Sequence, residues 1–304
     1  MLQLVLEQAL NGLQFGLMLF LLAAGLTLVF GIMDMINLSH GSLYMGGAYL
    51  AAAAVERSGS FVVGLLAAML GMTVIGALLE RTLLRRLYAR DHLAQVLATF
   101  ALILVANEVV RLIWGPQPVM LNAPNALAGP VDILGFTYPA YRLMIIAVGL
   151  AVAAFLYLLV ARTRAGMWVR AGAANREMAE AMGVNVKALF TAVFALGSSL
   201  CALAGALLAP LLAVQVGMGE NILITAFVVI VIGGIGSIRG ALVGSLLVGM
   251  VDTLGRALLP TLLRSVASSE VASNLGPAIA SMLIYLLMAT VLFWRPQGLF
   301  PARA

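Results

Sequence analysis

The chain has 304 residues, 63% of them hydrophobic and only 10% charged, where a soluble domain carries about 25% charged residues. With a mean hydropathy of +1.10, this composition excludes a soluble globular domain, and the long unbroken apolar runs exclude the short alternating strands of a transmembrane β-barrel. The formal net charge of +5 is not a nucleic-acid signature, because the basic side chains sit in a few loops, which is how membrane topology is encoded.

The expected fold class is an all-α integral membrane protein: a polytopic bundle of roughly eight to ten transmembrane helices, some short or broken, forming one domain over residues 1–304. The single cysteine, Cys201, excludes an intrachain disulfide and a CxxC metal site and reads as a small packing residue. No metal site is expected. The N-terminus lacks the basic region and cleavage site of a signal peptide, so the first apolar run is expected to be retained as a spanning helix.

Candidate crossings in chain order are 9–31, 39–55, 61–79, 93–114, 142–161, 188–212, 222–238, 241–259 and 277–294. The second and seventh are short and rich in glycine, which marks them as re-entrant or broken. Between the first two lies F-G-I-M-D-M-I-N-L-S-H-G-S-L-Y-M-G-G-A-Y, residues 30–49. It places Asp34, Asn37, Ser39 and His40 in succession where lipid offers no hydrogen-bond partner. A polar turn and a helix interruption lining a substrate path are both consistent with it. His40 is read first as a structural residue satisfying backbone carbonyls freed at the break, second as path-lining, and third as a proton carrier. Gly41, Gly46 and Gly47 are expected to let neighbouring helices approach closely.

Arginines set the orientation. The loop 80–92 holds Arg81, Arg85, Arg86 and Arg90, and the loop 162–187 holds Arg162, Arg164, Arg170, Arg176 and Lys187. Both are assigned to the cytoplasm, together with the basic C-terminal tail. The connection 115–141 has no Lys or Arg but several prolines, and reads as an ordered extracytoplasmic loop. The N-terminus then lies outside, as do Arg57, Arg256 and Arg264, in modest conflict with the rule. Two glycine-and-polar interruptions, F-G-I near Gly31 and G-G-I-G-S near Ser237, fall one in each half, as they would in an internal repeat with a binding site between halves.

Within 171–189, Asn175 is placed to cap a short helix with Glu177 and Glu180 in its early turns. Met178, Ala179, Ala181 and Met182 form an apolar side, and Gly183 ends the helix in the left-handed conformation, followed by Val184. The apolar residues are small and the faces are not strongly basic. This favours docking on a partner over adsorption to lipid.

The spacing A-x-x-x-N-x-x-x-A-x-x-x-G-V-N-V from Ala171 looks like the coupling loop of ABC-importer permeases. N-L-S-H-G-S-L-Y-M-G-G-A-Y resembles a signature of branched-chain amino acid permeases. V-I-G-G-I-G-S-I-R-G-A-L-V-G (231–244) and R-P-Q-G-L-F (295–300) add two further matches in the family's order, covering the chain nearly end to end. The length is closer to the shorter, LivH-type subunit. A Gly183-Val184 pair stands where the family has Gly-Ile, a conservative exchange.

The resemblance implies the transmembrane permease subunit of an ATP-driven, binding-protein-dependent importer of branched-chain or other hydrophobic amino acids in a bacterial inner membrane. It implies a second, LivM-type permease, two cytoplasmic ATPase subunits and a periplasmic amino-acid-binding protein, with no nucleic acid. Asn175, Glu177, Met178, Ala179, Ala181, Met182, Gly183 and Val184 become the candidate ATPase-coupling residues of the loop 162–187. Asn37, His40, Gly41, Gly233, Gly234 and Gly236 become the candidate translocation-pathway residues. A same-family permease for urea, amides or another small solute, and a stand-alone channel or secondary transporter, are the alternatives.

No G-x-x-x-x-G-K-[ST] is present and Lys187 is the only lysine, so ATP and Mg are expected to be used by partner chains and no cofactor by this one. Gly233, Gly234, Gly236 and Gly240 lack the strand–turn–helix context of a nucleotide loop and read as close helix packing or a broken helix. No H-E-x-x-H or G-x-S-x-G occurs. Asp34 and Asp252 are the aspartates near membrane depth, and a protease dyad between them is disfavoured. Asp252–Arg256 and Glu108–Arg111 are spaced to neutralise one another along a helix.

Overall fold

The computed structural model describes residues 2–133, 136–264 and 268–300. Apolar runs fold as helices because a backbone N–H or C=O in lipid must be satisfied within its own segment. The helices are α1 (Leu2–Met33), α2 (His40–Ser58), α3 (Phe61–Thr82), α4 (His92–Trp114), α5 (Ala140–Arg162), α6 (Arg164–Ala174), α7 (Arg176–Ala181), α8 (Val186–Leu208), α9 (Met218–Gly233), α10 (Ile238–Leu263) and α11 (Ser269–Trp294). Seven of them (α1, α3, α4, α5, α8, α10 and α11) are long and apolar enough to cross a membrane. The two remaining members of the bundle are α2, with 19 residues, and α9, with 16. These correspond to the segments read as short and glycine-rich. At 1.5 Å per residue α9 is about 24 Å long, less than the ~30 Å hydrocarbon thickness.

Two helices form the axis of the bundle. In their most apolar windows α1 is 83% buried and α8 78% buried, against 17–28% for α3, α4, α5, α10 and α11. Helix α1 packs on α10, α8, α5 and α9, while α8 also packs on α2 and α3. Gly16 of α1 faces the backbone of Ser245 and Leu246, so α1 and α10 meet without intervening side chains. The outer helices present Leu70, Leu97, Leu112, Phe155 and Leu286 outward, as lipid contact requires.

The loops sort into two ends. Gly31, Arg85, Gly172, Lys187, Gly236 and Gly298 gather at one, through contacts of Gly31 with Gly236, Gly172 with Leu189, Arg85 with the Lys187 carbonyl, and Gly298 with Gly234. This is the arginine-rich end, so the loops 80–92 and 162–187 share a side as the charge pattern requires. At the opposite end lies the described part of the proline-rich connection. It carries an antiparallel hairpin, β1 (Pro130–Ile133) with β2 (Phe136–Pro139), in which Pro130 stands opposite Pro139. Val119 pairs with Val214 through two backbone hydrogen bonds of 2.8 and 2.9 Å. Tyr138 donates to Asn11 at 2.9 Å, fixing the hairpin to the start of α1.

Candidate functional site

The interruption between α1 and α2 is the first element of the site. Helix α1 is stopped by the residue after its end, Asp34, whose φ of 50° is the left-handed conformation of a helix stop and whose N–H bonds to the Phe30 carbonyl at 3.0 Å. The chain then runs extended beside the first turns of α4. Ile36 N–H donates to Gln95 Oε1 at 3.3 Å and Leu38 N–H to Thr99 Oγ1 at 3.2 Å. Asn37 Oδ1 accepts from the Ser39 backbone at 3.0 Å and from its hydroxyl at 2.6 Å, a local turn. Gln95 also donates to the Leu87 and Arg90 carbonyls, which fixes the α3–α4 loop to the same anchor.

Helix α2 therefore starts inside the bundle. His40, its first residue, lies level with Gly25 and Gly197: a methyl on Gly25 would stand 2.8 Å from His40 Nε2. Gly25 is six residues before Gly31, so α2 begins about 9 Å in from the arginine-rich end. The imidazole is fully buried and meets Phe194 edge-on at 6.4 Å. Among the described residues neither ring nitrogen has a hydrogen-bond partner. This corrects the expectation that His40 satisfies freed backbone carbonyls. The backbone N–H groups of Ile36, Leu38 and Ser39 at the break are met by Gln95, Thr99 and Asn37, and His40 fills a slot that two glycines leave open. Gly41 packs against Gly219 at the start of α9, and Gly47 against Ala202 of α8, the close approaches expected of small residues. The starts of α2 and α9 thus meet inside the bundle.

The second interruption lies at the arginine-rich end. Helix α9 stops at Gly233, and Gly234 and Gly236 have φ of 103° and 82°. Ser237 then caps α10 by accepting from Gly240 N–H at 3.1 Å. Gly233 and Gly240 touch through their backbones, which supports the packing reading of this glycine run. The tail returns to it: Leu299 and Phe300 donate to the Ile232 and Gly233 carbonyls, each at 2.9 Å. Of the six candidate pathway residues, Asn37, His40, Gly41, Gly233 and Gly234 are buried in packed contacts, and Gly236 lines two cavities.

The third element is the loop 162–187. Its first half is a helix that sequence reading did not mark, α6, capped by Thr163. Asn175 breaks it and caps α7, accepting from Met178 N–H at 2.9 Å. Gly183, at φ 85°, closes α7 with Gly183 N–H on the Glu180 carbonyl and Val184 N–H on the Ala179 carbonyl, the Schellman pattern. Asn185 caps α8 in turn. Ala179 is buried, whereas Met178 and Met182 are 61% and 79% exposed and Glu177, Ala181 and Gly183 are exposed too. Arg176 donates to the Met33 carbonyl at 3.3 Å and stands over the Phe190 ring at 4.7 Å, so α7 is held to the ends of α1 and α8.

A carboxylate that sequence reading missed lies beside it. Glu80 of α3 has no exposure. It accepts from Arg85 Nε and Nη2 at 3.2 and 2.9 Å, from Tyr88 at 2.9 Å and from Thr191 of α8 at 2.6 Å. Burial, and then the Glu80 charge, push the Tyr88 phenol up from its ordinary range, so it remains a donor. The available signal was a lone acid among arginines at a helix end.

Asp252–Arg256 and Glu108–Arg111 are ion pairs at 2.8 and 2.9 Å, as their spacing predicts. Asp34 lines a cavity with Gly236 at one end and Asp252 one with Asn11 at the other, which leaves no dyad.

The family model for the permease component of the branched-chain amino acid transport system matches residues 8–292. The high-affinity branched-chain amino acid transport system permease protein BraD of Pseudomonas aeruginosa is 29% identical, over 97% of this chain and 95% of that protein. The LivH permease protein of the corresponding system in Escherichia coli K12 is 27% identical over 96% of each. These relatives are permease components, not ATPases. A solved structure described as an inward-facing, metal-chelate type ABC transporter covers 94% of this chain at 17% identity and a TM-score of 0.47, too low to bear on the fold. Matched by the family model over residues 8–292 of its 304, this multi-pass membrane chain belongs to the permease-component family of branched-chain amino acid transport systems.

Proposed function

We propose that the chain is the membrane permease subunit of an ATP-driven, binding-protein-dependent importer of branched-chain or other hydrophobic amino acids in the bacterial inner membrane. It forms one membrane domain over residues 1–304 with a cytoplasmic coupling loop at 162–187. Its partners are a second, LivM-type permease, two cytoplasmic ATPase subunits that use ATP and Mg, and a periplasmic amino-acid-binding protein. The chain itself binds no cofactor.

The observation that carries this reading is α7. A two-turn helix, capped at both ends, presents Met178 and Met182 outward from the arginine-rich end, and methionines suit a docking surface that must adapt. What α7 touches gives its displacement a route inward: Arg176 to the end of α1 and, over the Phe190 ring, to α8, with the Glu80 cluster linking α8 to α3. Helix α1 then leads to the Gly31–Gly236 contact, and α3 and α8 flank the buried start of α2. Asn37, His40 and Gly41, with Gly233, Gly234 and Gly236, sit where those helices change direction and border the pathway. The binding protein selects the solute, so the path needs little affinity of its own.

Gly183→Asp tests the coupling role. A Cβ at Gly183 meets nothing within 4 Å, so the variant folds and reaches the membrane at a backbone cost of about 1–2 kcal/mol. Leucine uptake by the assembled importer falls to background. Normal uptake with Gly183→Asp overturns the assignment of α7. Competition of leucine uptake by isoleucine and valine, but not by urea or acetamide, tests the solute class.

A further inference from the structure

A cavity of about 450 Å³ opens at the arginine-rich end between α1, α5, α6 and the start of α10, within the ~300–1,000 Å³ range of ligand sites. Its walls are of two kinds. Tyr157, Val160, Val169 and Ile238 give it apolar surface that is at least partly exposed, while Arg170 and Arg239 give it charge. Among the described residues no Asp or Glu lines it and neither guanidinium forms an ion pair. Arg239 lies over the Tyr157 ring at 5.6 Å, and Arg170 donates to the Val160 carbonyl. The neighbouring cavity beyond Gly31 and Gly236 carries Asp34 with Arg176 and is balanced. The positive charge of the first is therefore uncompensated.

Its surroundings identify the phase it faces. Tyr157 and Leu158 on α5 are 47% and 54% exposed, on a helix whose hydropathy fits the hydrocarbon core. On α6, Met167 and Trp168 are 52% and 49% exposed beside Arg164 and Arg170. Exposed Tyr and Trp next to arginines at the end of a spanning helix are the composition of the membrane–water interface.

We propose that this crevice holds an anionic phospholipid of the cytoplasmic leaflet, its phosphate at Arg170 and Arg239 and its upper acyl chain along Tyr157, Val160 and Val169. A free phosphate would leave the apolar wall unused, and a neutral lipid would leave the two guanidiniums unmatched. The site is independent of which solute the permease carries.

The test is native mass spectrometry of the purified full chain in detergent, titrated with dioleoylphosphatidylglycerol or dioleoylphosphatidylcholine. One phosphatidylglycerol is retained in preference to phosphatidylcholine. Arg170→Gln and Arg239→Gln each weaken it about fivefold, the effect of one basic residue at a lipid surface. Arg170→Lys with Arg239→Lys keeps the preference, and Arg90→Gln, on the other basic loop, leaves it unchanged. Equal retention of the two lipids overturns the site, as does an equal loss in Arg90→Gln or displacement of the lipid by inorganic phosphate alone. Unchanged lipid retention in the double Gln variant, with lost capture of ATPase subunits, assigns the crevice to those subunits and overturns it too.

Discussion

Gly31, near the end of α1, lies backbone to backbone against Gly236, one residue ahead of the α10 cap: a methyl on Gly31 would stand 2.7 Å from the Gly236 Cα. The two interruptions that echo each other in sequence are thus in direct contact. Gly236 also has a φ of 82°, so a side chain there meets backbone strain. Gly31→Val forces the two breaks apart and lowers stability by about 1–3 kcal/mol, which thermal unfolding of the purified chain in detergent registers as a fall of several degrees. An unchanged transition contradicts the contact.

The break between α1 and α2 depends on acceptors from α4. Gln95→Leu leaves the Ile36 N–H without its partner and releases the Leu87 and Arg90 carbonyls. A buried polar group left unpaired costs about 1–3 kcal/mol. Thr99→Val does the same to Leu38, while Thr99→Ser keeps the acceptor and much of the stability. Hydrogen exchange at Ile36 and Leu38 rises selectively in the two damaging variants. Uniform exchange across α2 and α4 in all three argues against this anchor.

Much of this was legible in the chain. The crossings follow from length and hydropathy, and Asn175 and Gly183 mark the two ends of α7 because capping is local chemistry. Gln95 and Thr99 were not read as anchors, although four-residue spacing puts them on one face of α4. Nothing local says that an extended segment from another part of the chain lies there. Glu80 reads as an ordinary helix-end charge until Thr191, more than a hundred residues away, is seen to bond it. His40 reads as a hydrogen-bonding group because its type suggests one. Only packing shows that Gly25 and Gly197 make room for its ring. Helix α6 carries no clear mark in sequence because its arginines and small residues resemble loop composition.

Glu80 and Thr191 join α3 to α8 through a 2.6 Å hydrogen bond inside a cluster that also holds Arg85 and Tyr88. Glu80→Gln with Thr191→Val should therefore be non-additive. A double-mutant cycle on unfolding free energy is expected to give a coupling of about 0.5–3 kcal/mol. Additivity within about 0.3 kcal/mol shows that the two helices are not tied here.

His40→Leu removes two ring nitrogens that have no partner among the described residues and replaces them with apolar volume. Replacing an unpartnered polar group by an apolar one of similar size is neutral or stabilising. The unfolding temperature is expected to hold or rise. A drop of several degrees means that His40 makes a polar contact absent from this arrangement.

The permease reading is tested most directly by uptake of radiolabelled leucine into proteoliposomes. One set holds this chain alone; the other holds it with its partner permease, both ATPase subunits and the binding protein. The account predicts no uptake above background by the chain alone, and ATP-dependent uptake by the complete set. Leucine uptake by the chain alone, without ATP, would contradict it.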